Sequence, residues 1–391
     1  VIISYSVRKV FRVDKTVDFK NTSVAILQKS FERSRRNYRL FDGQFPSYGD
    51  SKTSYQLTPN KNWLASFWAG ILWLTAYHSR SQKDIANAQS VTDTFEARLN
   101  NKIRLNHDLG FLFTLSARAS WQITDNTNAH KLTIRAADVL CDRFNPIGGY
   151  IQAWGEPEDE SENGRFIIDC MMNLPLLYWA SRESGDPRYA EVATIHAQTS
   201  KQYLMREDGS TYHTYLVDAK TASPIGPKTH QGYADNSVWA RGQAWAIYGF
   251  TMAAEWTDET AFKNIAKDAT TYYLNAVKSD EIAPWDLSLP SHMPYIPDSS
   301  ADAIAAGGMV RLARLTGDNT YLNAARDRTK LLIQNAFDQR EEAQGLFLHG
   351  TQHLPHDYGI DTYTIFGDYF ALETIMALLD EAPDFWGPDA K

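Results

Sequence analysis

Two carboxylates stand where carboxylates are rare. Asp108 sits in "NHDLGFLF" and Asp169 in "FIIDCMMNLPLLYWAS", each among bulky apolar residues. An ionised carboxylate is seldom buried without a partner or a task. In such surroundings desolvation and repulsion from the other acid raise one pKa toward neutrality. The product is a proton donor beside an ionised carboxylate, the equipment of general acid–base catalysis. Each aspartate taken alone also suits a helix N-cap, where free N–H groups and the helix dipole favour it. The two readings part on whether the acids meet, and that depends on the helices that carry them.

Six segments are hydrophobic nearly all round, at 62–77, 107–121, 169–181, 237–254, 299–315 and 364–379. Such helices are expected inside, packed on several sides. Between them run more charged, amphipathic helices of the surface type, over 24–36, 82–99, 128–144, 188–204, 261–277 and 321–337. Two of these begin alike, "SGDPRYAEVATIHA" and "TGDNTYLNAARDRT", a faint internal repeat in which Gly ends one helix and Asp caps the next. Strand signals are few and short, as in "STYHTYLV" at 210–217. Strict alternation of six outer and six inner helices predicts an all-α, double-layered (α/α)6 barrel, with an open α-solenoid as the alternative. Residues 1–391 then form one domain, with 1–18 an extended N-terminal segment. Inner-to-outer links are short and several outer-to-inner links are long, so the long ones gather at the N-terminal end of the inner helices. That end is the expected mouth. Five acids are expected there: Asp108, Asp169, Asp235, Asp298 and, one turn in, Asp368.

Other mouth residues suit a sugar. His213 in "TYHTY", His230 and Gln231 in "THQGY", and Arg241 and Gln243 in "WARGQAW" can bind hydroxyls and a carboxylate. Trp63, Trp154 and Trp245 offer flat faces to a pyranose. Arg241, in an otherwise apolar helix, needs an anion, either a structural Asp or a ligand carboxylate. The composition agrees with a soluble globular chain rich in aromatics: 43% hydrophobic, 22% charged, with 11 Trp, 20 Tyr and 18 Phe. A net charge of −8 without a Lys/Arg cluster argues against nucleic acid or an anionic membrane as partner. No apolar run approaches the ~20 residues of a membrane span. Cys141 and Cys170 form no CxxC and read as buried small hydrophobes. There is no G-x-S-x-G, no Walker A, no G-x-G-x-x-G after a strand, and no acid-rich D-D-x-x-D helix. His349, His353 and His356 lie close together, but in loop sequence without H-E-x-x-H spacing, and no metal site is expected. The first residues lack Met and the apolar core of a signal peptide, which leaves cytoplasm and periplasm both open.

Seven motifs in order, "NHDLGFLF", "GYIQAWG", "IIDCMMNLPLLYWAS", "YHTY", "THQGYADNSVWARGQAWAIYGF", "DSSADAIAAGG" and "YTIFGDYF", resemble the unsaturated glucuronyl hydrolases of glycoside hydrolase family 88. The resemblance runs from about residue 45 to residue 379. It implies an (α/α)6 barrel with no cofactor, acting on the disaccharides and oligosaccharides that polysaccharide lyases leave. The group removed would be the non-reducing 4-deoxy-hex-4-enuronic acid. The implied chemistry departs from ordinary glycoside hydrolysis: an acid protonates C4 of the enol ether, water adds at C5, and the hemiketal collapses. On matching positions the resemblance makes Asp169 the general acid and base, with Asp108 its acidic companion. It places His213, Gln231 and Arg241 at the uronate, adds His230 and His353 to the sugar-binding set, and gives stacking to Trp63, Trp154 and Trp245. The late mouth loop departs from the family. An aromatic residue often stands next to its His, and here Gln352 precedes His353 in "GTQHLPHD", at the outer sugar subsite. Two other readings are an unsaturated rhamnogalacturonyl hydrolase of the related family 105 and a non-catalytic sugar-binding barrel. The Asp108 motif and "WARGQAW" fit family 88 better than family 105, and retention of both acids argues against a dead barrel.

Overall fold

The computed structural model describes residues 18–50, 53–156 and 162–388. Among these, six helix pairs follow one another along the chain. They are α1 (Phe19–Phe41) with α2 (Ala65–Ser79), and α3 (Gln82–Asn100) with α4 (Leu109–Phe113) and α5 (Ala119–Thr124). Next come α6 (Thr127–Cys141) with α7 (Leu174–Ser184), and α8 (Pro187–Leu204) with α9 (Ala240–Thr257). The last are α10 (Thr260–Ala276) with α11 (Ser299–Thr316), and α12 (Asn319–Asn335) with α13 (Ile365–Leu378). The second member of each pair is buried almost all round, with every residue from Ala65 to Ala76 and from Ala240 to Ala254 out of solvent. The first members bury one stripe only, as amphipathic sequence requires.

The inner helices form a ring. α2 packs on α4, α4 on α7, α7 on α9, α9 on α11, α11 on α13, and α13 returns to α2. Closure excludes the open solenoid, and the architecture is the (α/α)6 barrel. Each inner helix passes to the next outer one through two residues, the first in the left-handed region: Arg80, Asp125, Gly185, Asp258 and Gly317. The side chains of Asn126, Asp186 and Asp318 then cap the outer helices that follow. With every inner-to-outer turn so tight, the long connections all fall at the opposite end. Short antiparallel sheets stiffen them: β1 (Phe45–Gly49) with β2 (Tyr55–Thr58), β3 (Phe144–Asn145) with β4 (Tyr150–Ile151), and β5 (Arg165–Ile167), β6 (Thr214–Val217) and β7 (Pro224–Lys228) in that order.

Two inner helices differ from plain expectation. The second is interrupted by a π-helical turn, Thr114–Arg118, between α4 and α5. The third begins as a 3-10 turn, Ile168–Met172, before α7. Pro175 accounts for the latter: it has no N–H to give back to the preceding turn, so the α-helix cannot run through it from Asp169. The expected extended segment 1–18 lies outside the described residues except for Asp18, whose side chain caps α1. Cys141 and Cys170 are free and buried, and no helix of the described residues is long and apolar enough to cross a membrane.

Candidate active site

Five of the six long links meet around a cavity of ≈ 180 Å³ at the N-terminal end of the inner helices. Trp63 comes from the link before α2, and Asn106, His107 and Asp108 from that before α4. Trp154, Ile167 and Asp169 come from the link and 3-10 turn before α7, His230 and Gln231 from that before α9, and Gln352, His353 and Tyr358 from that before α13. A larger, more open hollow lies at the other end, beside Ala76, Gln122 and Asp384. It brings no pair of acids together, and Asp384 there is held by Arg311.

Neither acid of the pair serves as a cap. Asp108 stands at the N-cap position of α4 without a side-chain cap bond, and Asp169, in the first turn of the 3-10 segment, meets its own backbone N–H rather than capping the turn. Both are buried. Burial, and next the neighbouring charge of Asp108, push Asp169 up to about 7, while Arg241 pulls the other way. Asp169 Oδ1 has no hydrogen-bond partner, and neither has the indole Nε1 of Trp245, which favours the charged carboxylate without well-formed bond geometry.

Asn173 ties the two acid-bearing turns together. Its Oδ1 accepts from the N–H of Phe111 at 2.6 Å, and its Nδ2 donates to the carbonyl of Asp169 at 3.2 Å. Gly110 makes the approach possible, because a Cβ there would lie 2.3 Å from the Cα of Asn173. Gly110→Ala is therefore expected to destabilise the chain by about 1–3 kcal/mol through overpacking. It should also lower kcat by roughly 10²-fold, since a displacement near 1 Å between reacting groups has that effect. Thermal unfolding and steady-state rates together check this.

Two histidines face the acids with defined protonation. His213 Nδ1 accepts the backbone N–H groups of His230 and Gln231 at 3.1 and 3.3 Å, so its proton sits on Nε2, 3.9 Å from Asp169 Oδ1. Burial, then the charges of His230 and Arg241, hold His213 well below its ordinary value and keep it neutral. His107 has the opposite tautomer. Its Nδ1 donates to the carbonyl of Ala153 at 2.8 Å, which turns Nε2 toward Asp108 Oδ1 at 3.2 Å, off the ideal hydrogen-bond line.

The cavity thus gathers Trp63, Asp108, Trp154, Asp169, His230, Gln231 and His353 from the expected set, with His213 beside Asp169. Arg241 and Trp245 lie elsewhere. Arg241 is fully buried: its Nη1 binds Asp298 at 2.8 Å and the carbonyl of Thr351, and its Nη2 binds the carbonyl of Gln352. Of the two anions open to it, the structural Asp is the one it holds here, where it also anchors the late mouth loop, and its Nε has no partner. Trp245 is fully buried against Phe111 and Phe370 and shows no face to a sugar. The convergence of five acids reduces to two. Asp235 is half-exposed and paired with Lys228, Asp298 caps α11 and holds Arg241, and Asp368 accepts from Tyr55 and from the N–H groups of Leu346 and Phe347. Gln352, marked in the sequence as the departure beside His353, lines the cavity, and so do Asn106, His107, Ile167 and Tyr358, which the sequence reading does not single out. For His107 the signal was its place beside Asp108. For Tyr358 nothing local marks it, because a backbone pairing with His353 brings it in.

The comparisons with known proteins bear on the family and the fold. The sequence profile of Glycosyl Hydrolase Family 88 covers residues 39–377. The unsaturated glucuronyl hydrolase of Bacillus sp. (strain GL1) is 37% identical over 359 residues, 90% of this chain and 95% of the relative. The unsaturated chondroitin disaccharide hydrolase of Streptococcus pyogenes serotype M1 is 35% identical over 367 residues, 92% of each chain. The crystal structure of the Bacillus sp. GL1 enzyme superposes with a TM-score of 0.91 at 35% identity, covering 95% of this chain and 100% of that one. With the closed barrel and the paired acids at its mouth, these matches make the chain a glycoside hydrolase that belongs to family 88.

Proposed function

We propose that this chain releases the non-reducing 4,5-unsaturated glucuronic acid from lyase-made oligosaccharides by hydrating the C4=C5 enol ether, with Asp169 as the proton donor. The observation that carries the reading is a buried carboxyl, pushed up to about 7, with an unpartnered oxygen at the floor of a sugar-sized cavity. Protonated Asp169 delivers its proton to C4, and the positive charge that develops at C5 is shared with the ring oxygen. The resulting carboxylate accepts a proton from water as the water adds to C5. The hemiketal opens to a C5 ketone, which leaves C1 a hemiacetal that expels the remaining sugar. Protonation of the glycosidic oxygen is not needed in the first step. Burial first, and then the charge of Asp108, keep Asp169 protonated near neutral pH. The Nε2–H of His213 is aimed at Asp169 and orients its carboxyl or the incoming water. Trp63, Trp154, Gln231, His230 and His353 form the walls that hold the sugars.

Incubation with a lyase-made disaccharide in heavy water tests the reading. The near-UV absorbance of the double bond should disappear, and solvent deuterium should appear at C4 of the released acid. Release of the sugar ahead of the loss of the double-bond absorbance would show ordinary glycosidic cleavage instead.

A further inference from the structure

Three imidazoles converge on the rim of the cavity from two different links. His353 is 2% exposed, and neither of its ring nitrogens has a hydrogen-bond partner. His356 lies parallel to it with ring centroids 4.2 Å apart, and His230 stands edge-on to both, at 4.7 and 5.3 Å. One nitrogen from each of the three lies within 4.8 Å of the others. His349, close in sequence, is not a member, because its Nδ1 is 2.6 Å from Asp361. A buried polar group without a partner is costly and calls for an explanation.

We propose that His230, His353 and His356 form a transition-metal site at the pocket mouth, taking a borderline divalent ion such as Zn²⁺ or Ni²⁺, and that the bound ion shuts the sugar out. Three imidazoles with a fourth position left to water are a recurrent zinc ligand set. The trio contains no carboxylate, which disfavours Mg²⁺ and Ca²⁺. Neutral imidazole is the form that binds metal. The parallel rings do not yet point their lone pairs at one spot. Nitrogens around a tetrahedral ion stand ~3.4 Å apart, so the exposed His230 and His356 turn toward the fixed His353. His353 is held by backbone bonds in both directions with Tyr358, and His356 rides on the same turn. Since His230 and His353 line the cavity, an ion there stands over the acids.

The test is calorimetric titration of the whole chain with ZnCl₂ in a buffer that does not chelate, beside the visible spectrum of its Co²⁺ adduct. One ion per chain with a micromolar Kd and a tetrahedral Co²⁺ spectrum are expected. His356→Ala should keep metal-free turnover and weaken Zn²⁺ binding at least about tenfold, as the loss of one ligand in three requires. Saturating Zn²⁺ should slow loss of the double-bond absorbance in the parent chain, reversibly with EDTA, and not in His356→Ala. No binding up to millimolar Zn²⁺, or equal affinity in His356→Ala, overturns the site. Binding without inhibition overturns the closure of the pocket. The calorimetric and spectral readouts use no substrate, so they stand apart from the catalytic reading.

Discussion

Replacing Asp169 by Asn should leave a folded barrel that binds substrate and turns it over about 10²–10⁴-fold more slowly, the range typical of a lost general acid–base group. Asn has the size of Asp and can bond the same hydroxyls, but it cannot deliver a proton of comparable acidity. The side chain meets its own backbone N–H, a bond that the Oδ1 of Asn can still accept. In the parent chain the pKa of about 7 makes the alkaline limb visible: kcat/KM should fall tenfold per pH unit above about 7, as the proton donor is lost. Stability should move the other way. Folding raises this carboxyl from 3.8 to about 7, so folding favours its protonated form. That contribution is present below about pH 4 and is lost as pH rises through 7. Asp169→Asn should therefore melt with the parent chain near pH 4 and melt higher than it at pH 8. A variant that turns over at the parent rate would remove Asp169 from the chemistry, whatever its melting temperature.

Arg241→Ala should unfold the chain far more readily rather than simply weaken substrate binding. The guanidinium and Asp298 are both wholly buried, and removing one partner leaves the other charged and unpaired, at about 3–5 kcal/mol. The carbonyl of Thr351 loses the Arg241 donor and that of Gln352 keeps only the Nε2 of Gln231, so the loop that carries His353 loses its side-chain tie to α9. Arg241 also lowers the pKa of Asp169, and its loss should shift the alkaline limb of the pH profile to higher pH. Arg241→Lys keeps the charge but not the planar fork, and should retain part of the stability. Thermal unfolding and the pH dependence of kcat/KM distinguish the roles. Parent-like melting with a raised KM alone would return Arg241 to direct contact with the uronate.

The barrel was legible because its signals are local and repeated. A helix that is apolar on every face has to be inside, and six of them alternating with amphipathic ones leave little choice but a double layer. The same logic marked Asp108 and Asp169, since a carboxylate in an apolar run is an anomaly that can be seen without neighbours. The segment "NLPLL" also contained the break before α7, because the missing N–H of Pro175 belongs to that residue alone.

Partnership was decided only by the folded chain. Five acids stand near the starts of inner helices, and sequence gives each the same claim on the mouth. The fold commits Asp298 to Arg241 and Asp368 to Tyr55, and turns Asp235 outward to Lys228. The proton on His213 sits on Nε2 because two backbone N–H groups from another link reach its Nδ1, and His107 faces Asp108 because Ala153 holds its other nitrogen. Likewise His230 meets His353 and His356 across more than a hundred residues of chain, while the nearer His349 turns to Asp361. Periodicity and burial follow from each residue's own chemistry and its near neighbours, and those the sequence by itself determined. Which buried charge answers which, and which nitrogen keeps its proton, depends on contacts between distant links, and these exist only once the ring has closed.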